Sequence, residues 1–441
     1  MPFRSELLLR GGTVVNHDGV GERDVAISAG RITGIGHFAV NQAAEVIDCR
    51  GLHILPGVID SQVHLREPGS EHKEDLGTGG RAAVMGGVTG VFEMPNTNPL
   101  TVTAEALADK VRRASNRMYC DFAFYMGGTR DNAHELGELE QLPGCAGIKV
   151  FMGSSTGELL VEDDAGVAAI LKHIHRRAAF HSEDEYRLRA RKAEQREGDP
   201  ASHPVWRDAE AARLCTERLL RLARAAGKRI HVLHISTAEE MALLAANKDL
   251  ATVEVTPHHL TFSSADYARL GNLIQMNPPV RDAHHRDAIW QGLTSGIVDV
   301  LGSDHAPHTL EEKHKPYPHS PSGMPGVQTL VPVMLDWVNK GRLTIERFVD
   351  LTSHGPSRIL GLAAKGRIAE GYDADLTIVD LKRRREITNA WIESRCKWTP
   401  YAGMTVTGWP AGTIVRGRRV MWEDEIIGQP HGQPIRFIES L

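Results

Sequence analysis

The chain has 441 residues, 41% of them hydrophobic and 24% charged. That is the composition of a folded globular protein with a large core, and it excludes a disordered or fibrous chain. A formal charge of -5 provides no general field for nucleic acid or an anionic membrane surface, so any anion has to be bound locally. The apolar run Leu7–Leu9 is too short for a secretory segment or a membrane span, which predicts a cytoplasmic protein. Five cysteines without a Cys-x-x-Cys spacing are expected to be reduced thiols.

In chain order, the first segment alternates short β-rich runs with glycine turns: Leu7–Leu9, Thr13–Val15, then Val25–Ile27 and Ile32–Thr33 on either side of Ser28–Arg31. These read as hairpins. The last segment has the same character, with Ala374–Val379, Thr413–Val415 and Val420–Trp422. Residues 1–56 and 363–441 are therefore expected to form one small composite β-sandwich from both termini, flanking a central domain at 57–362.

That central stretch carries eight apolar, β-branched runs separated by helical patterns: Gly57–Asp60, Gly87–Phe92, Phe122–Tyr125, Gly147–Val150, Ala178–Phe180, Ile230–Leu233, Thr252–Val255 and Val298–Leu301. Helices are expected at Ala104 to Ala114, Glu210 to Ala226 and Glu239 to Ala246. The predicted fold is α/β, a (β/α)8 TIM barrel. The charge-rich stretch Asp184–Asp208 reads as a solvated helix and loop without chemistry, and Lys382–Arg385 as a surface strand end.

Active sites of such barrels lie at the C-terminal ends of the strands, and here nearly every run ends on a polar residue. Gln62 and His64 are two apart on a strand and share one face. His181, His234 and Asp304 would converge on the same axis from other strands. Imidazole with carboxylate suits zinc or a similar transition metal. An ammonium at Lys149 would be repelled by a cation, but a carbamate made from Lys149 and carbon dioxide would offer two anionic oxygens able to bridge two ions.

The strings Asp60-Ser61-Gln62-Val63-His64-Leu65-Arg66, Met94-Pro95-Asn96-Thr97, Gly147-Ile148-Lys149-Val150, His234-Ile235-Ser236-Thr237, Thr256-Pro257-His258-His259, Met276-Asn277-Pro278-Pro279, Ser303-Asp304-His305-Ala306-Pro307-His308 and Pro321-Ser322-Gly323 resemble those of dihydroorotases, in the cyclic amidohydrolase branch of the amidohydrolase superfamily. The resemblance implies reversible hydrolysis of dihydroorotate to N-carbamoyl-L-aspartate in pyrimidine biosynthesis, with one or two zinc ions. It implies metal ligation by His64, carbamylated Lys149, His181, His234 and Asp304. Asp304 would also act as general base and then general acid. Arg66, Asn96 and His308 would hold the substrate carboxylate, and Asn277 with Ser322 and Gly323 would contact the ring. The expected assembly is a homo-oligomer, a dimer or tetramer.

One residue departs from the family pattern, because Gln62 stands where the His-x-His signature has its first histidine. An amide oxygen is a poorer zinc ligand than imidazole. Activity could survive with a bridging water group, or on one metal held by Lys149, His181 and His234; otherwise the site is too weak. The last outcome would make the chain a non-catalytic scaffold, for example for aspartate transcarbamoylase. A third reading keeps the enzyme but exchanges the substrate for a hydantoin, a dihydropyrimidine or allantoin. Against it, those rings lack the carboxylate that Arg66 and His308 would bind. The stretch His308 to Gly326 is long enough to be a lid.

Overall fold

The computed structural model describes residues 5–154 and 159–438. Eight parallel strands follow one another around a barrel: β1 (Val58–Val63), β2 (Val88–Glu93), β3 (Asp121–Gly127), β4 (Cys145–Phe151), β5 (Ala178–His181), β6 (Ile230–Val232), β7 (Ala251–Val255) and β8 (Val300–Leu301). Their order in the sheet is their order in the chain. The ring is closed between β1 and the segment after β8, where Val63 pairs with His305 and the His64 amide donates to the His305 carbonyl at 2.7 Å. Each expected run falls on one of these strands. They read as unbroken apolar stretches because helices cover one face and the barrel interior the other. Helices at Ala104–Ala114, Ala209–Ala226 and Ala238–Ala245 fill three of the crossovers. Asp208 caps the second through the Ala211 amide, and Gly227 ends it in a left-handed conformation that costs glycine little.

The termini form a separate sheet with nine strands among the described residues. Its seam is His53–Pro56, parallel to Ser5–Asn16 on one side and antiparallel to Leu376–Glu386 on the other. The hairpin Gly19–Ser28/Arg31–Gly36 extends one end and Thr405–Val415/Arg418–Trp422 the other. Leu7, Leu9, Val25, Ile27, Leu376, Ile378 and Ile414 join one buried cluster, so neither terminus has a core of its own. Residues 1–4 and 439–441 of the expected terminal segments lie outside the described residues. An ionic knot fastens sheet to barrel. The Lys365 ammonium reaches Asp121 at the start of β3 and Asp375 ahead of Leu376, and Arg416 also binds Asp121. All five cysteines are buried and free. No helix among the described residues is long and apolar enough to cross a membrane.

Candidate active site

Gln62, His64, Arg66, Lys149, His181, His234, Asn277, Asp304, Ser322 and Gly323 line one pocket of ≈ 350 Å³ at the C-terminal mouth of the barrel. Arg66, His234 and Asp304 hold positive φ (63°, 38° and 48°), a region that disfavours side chains bearing a Cβ. Backbone strain of this kind concentrates at functional sites, and here it occurs where the chain leaves the strands.

Each imidazole is aimed by a neighbour. Asn96 Oδ1 lies 2.8 Å from His64 Nδ1, so Nδ1 carries the proton and the Nε2 lone pair faces Asp304 Oδ1 at 3.3 Å. An imidazole lone pair set against a carboxylate oxygen calls for a cation between them. Glu183 Oε2 lies 2.8 Å from His181 Nε2, which leaves Nδ1 facing His234 Nε2 at 3.1 Å. Burial is the largest influence on both imidazoles and keeps them neutral, the state that binds metal; it pushes His181 below the usual histidine range against the pull of Glu183. It pushes His234 far below, aided by His181 and Lys149.

Lys149 is 1% exposed, and its Nζ has no hydrogen-bond partner among the described residues. Burial holds the amine down to about 7 against the attraction of Asp304 and Glu254. His234 Nδ1 and Gln62 Oε1 are likewise buried without a partner. Buried polar atoms are rarely left this way, so the donor set fits a cation bound among Lys149, His181, His234, His64 and Asp304. Gln62 behaves differently. Its Nε2 donates to Asp304 Oδ1 at 3.0 Å, while its Oε1 keeps the orphaned lone pair.

The carboxylate side of the pocket is rich in donors. Arg66 Nε donates to the Pro307 carbonyl at 3.1 Å. Lys73 Nζ lies 3.1 Å from His308 Nδ1 and donates to it, leaving His308 Nε2 as the donor to the Ser322 carbonyl at 3.0 Å. That Nε2 is also 3.2 Å from Arg66 Nη2, so two donors meet with no acceptor between them. A carboxylate would resolve the conflict. Burial and Arg66 together hold His308 down to about 3. Asn96, expected on the same carboxylate, sets its Oδ1 on His64 Nδ1.

Gly323 has φ +138°, and a Cβ there would lie 2.4 Å from the Ala306 carbonyl and 2.8 Å from the His308 ring. Only glycine lets this backbone pass. Its amide is already spent on the Gln275 carbonyl at 2.9 Å. The stretch His308–Gly326 forms a packed rim, fixed by Lys313 Nζ on the Pro321 carbonyl (2.8 Å) and Gln275 Nε2 on the Ser320 carbonyl (3.0 Å).

Contrary to the expectation from sequence, Asp184–Asp208 is not a purely solvated segment. His203 and Arg207 are each 1% exposed. Arg207 grips Glu183 through Nε at 3.1 Å and Nη2 at 2.5 Å, and His203 Nε2 donates to Asn277 Oδ1 at 2.9 Å. Burial raises Glu183, but Arg207 and His181 outweigh it and hold the carboxyl below its ordinary range. The signal for Glu183 was present in its spacing, two residues beyond His181 on the same strand end. No local pattern distinguishes His203 or Arg207 from their solvated neighbours.

Residues 53–420 match the amidohydrolase family. Dihydroorotase from Halobacterium salinarum is 37% identical over 421 residues, covering 94% of this chain and 96% of that protein. Dihydroorotase from Methanosarcina mazei is 37% identical over 437 residues, with 95% and 94% covered. Among solved structures, L-hydantoinase from Arthrobacter aurescens superposes with a TM-score of 0.94 at 30% identity, covering 98% of this chain and 99% of its own. The chain belongs to the amidohydrolase family.

Proposed function

We propose that the protein is a metal-dependent dihydroorotase, interconverting dihydroorotate and N-carbamoyl-L-aspartate by hydrolysis and closure of the cyclic amide. The observation that carries this reading is the pair of converging donors, Arg66 Nη2 and His308 Nε2, 3.2 Å apart at the rim of the imidazole cluster. Hydantoin and dihydropyrimidine rings bring no carboxylate and would leave the buried Arg66 guanidinium without an anion.

Zinc held by His181, His234 and Lys149, with a second ion on His64 and Asp304, would polarise the ring carbonyl and lower the pKa of water. Lys149 would serve as its carbamate. Addition of the free amine to carbon dioxide forms one N–C bond, opens one C=O π bond and releases one proton, and burial brings the reactive neutral amine within reach near pH 7. Asp304 takes the proton of the attacking water and returns it to the leaving amide nitrogen. Arg66 and His308 fix the carboxylate, which sets the angle at which the ring carbonyl meets the nucleophile. Asn96 and Glu183 keep His64 and His181 in their working tautomers. His203 orients Asn277 toward the ring. Gln62 holds Asp304 through its Nε2.

Purified protein given dihydroorotate, N-carbamoyl-L-aspartate, a hydantoin and allantoin, with metal content measured on the same sample, tests the proposal. Turnover of the first pair alone is expected. Bound metal with no turnover of any of the four would favour the scaffold reading, and preference for hydantoin would favour the other cyclic amide.

A further inference from the structure

The opposite mouth of the barrel holds a second cavity, open to solvent, lined by His175, Arg176, Arg177, Lys228, Arg229 and Arg358 among others; Arg176 is tied to the Glu140 and Cys145 carbonyls. Arg177 and Arg229 immediately precede β5 and β6. Four residues of extended chain, about 13 Å, therefore separate Arg177 from His181 at the other end of the same strand. The two cavities share no lining residue.

Among the described residues no Asp or Glu lines this cavity. Arg177 Nη1 is buried without a partner among the described residues. Among the described residues Arg229 and Arg358 make no hydrogen bond or ion pair, whereas Arg187, Arg207 and Arg416 are each engaged. Burial, followed by the like charge of Arg229, pulls Arg177 down to about 10, with Asp299 opposing and Arg358 adding to the repulsion. Asp299 cannot neutralise the group. Its carboxylate is taken by the Lys248 ammonium and, at 2.8 Å, by the Val253 amide. Lys228 is also committed, donating to the Ile174 carbonyl at 2.6 Å. In a chain of net charge -5, three uncompensated guanidiniums around one concavity have no role in folding that their contacts reveal.

We propose that this cavity binds a small anion bearing a di- or triphosphate group, with Arg177, Arg229 and Arg358 as the guanidinium forks. Each fork takes two oxygens of a phosphate in parallel. A single carboxylate could occupy only one of the three, whereas a pyrophosphate group carries enough oxygens for all. Arg229 and Arg358 are exposed at the cavity rim and Arg177 is half-buried at its wall, so a ligand enters from solvent and ends on the least hydrated charge.

Calorimetric titration of the metal-loaded protein with inorganic pyrophosphate at physiological ionic strength tests this, with metal content checked afterwards. The variant R229Q/R358Q removes two exposed forks that hold no hydrogen bond or ion pair among the described residues, and its melting temperature should match the parent's. It should bind at least about tenfold more weakly. The variant K382Q/R384Q, which removes the same charge from the exposed Leu376–Glu386 strand, should bind like the parent. Absence of binding at millimolar pyrophosphate overturns the proposal. So does binding unchanged in R229Q/R358Q, which would place the anion at the metal centre.

Discussion

The Glu183–Arg207 pair offers the sharpest test of how the site is held. Both side chains are buried, 0% and 1% exposed, and the carboxylate joins Arg207 to His181 in one line. Removing one member of such a pair costs about 3–5 kcal/mol, because the other charge stays buried without its counterion. Arg207→Met also abandons the Ser154 carbonyl, bonded at 2.8 Å, which adds about 1 kcal/mol. Glu183→Leu leaves the Arg207 charge and the His181 Nε2 proton unmet, for a similar total. The double variant removes both charges and retains the unmet His181 proton and the abandoned Ser154 carbonyl, so it should lose about 2–4 kcal/mol. Urea unfolding of metal-free protein at pH 7.5 would measure the cycle, and the singles should sum to several kcal/mol more than the double. Metal affinity is a second readout. Loss of the carboxylate behind a ligating imidazole typically weakens binding by about 10–100-fold, so Glu183→Leu and the double should retain less zinc than the parent. Additive single effects, or singles below about 1 kcal/mol, would refute the idea that these residues form one buried unit.

Other outcomes follow from the same geometry. His203 and His308 are held down to about 3 and His259 to about 4 by burial. Above pH 6.5 they are neutral whether folded or unfolded; below it only the unfolded chain takes up the protons, so each should remove about 2 kcal/mol of stability by pH 5. A flat unfolding free energy between pH 7.5 and 5 would contradict that assignment. Arg66→Lys replaces a fork by a point charge and should raise the KM for dihydroorotate on the order of 100-fold with metal content unchanged; an unaltered KM would remove Arg66 from the carboxylate. Gly323→Ala drives a methyl into the Ala306 carbonyl and the His308 ring, and should raise KM together with a loss of about 2 kcal/mol in stability. Gln62→His exchanges a donor on Asp304 for an imidazole lone pair, so the metal-to-protein ratio measured by plasma mass spectrometry should rise toward two. Equal ratios in both proteins would show that the amide already serves.

The barrel was legible because its strands are buried on two faces, so each prints an uninterrupted apolar run whatever its neighbours are. Site residues at the ends of those runs were legible for a related reason: a histidine or lysine that terminates an apolar strand has little solvent to explain it. What stayed hidden depends on partners far apart in sequence. Asp184–Asp208 contains the composition of a solvated surface, yet it supplies Arg207 and His203 to the back of the site, because burial of a charge is decided by whether a counter-charge meets it, and Glu183 does. Asn96 is the converse case. Its motif marks it for the site, but only the 2.8 Å contact with His64 shows that its oxygen serves the imidazole. The same dependence on meeting partners separates the two mouths of the barrel. At one, the His64 lone pair faces a carboxylate oxygen of Asp304 and calls for a cation. At the other, Arg229 and Arg358 repel Arg177, and the proposed anion would complete them. A folded chain tolerates such like-with-like contacts only where something outside it completes them.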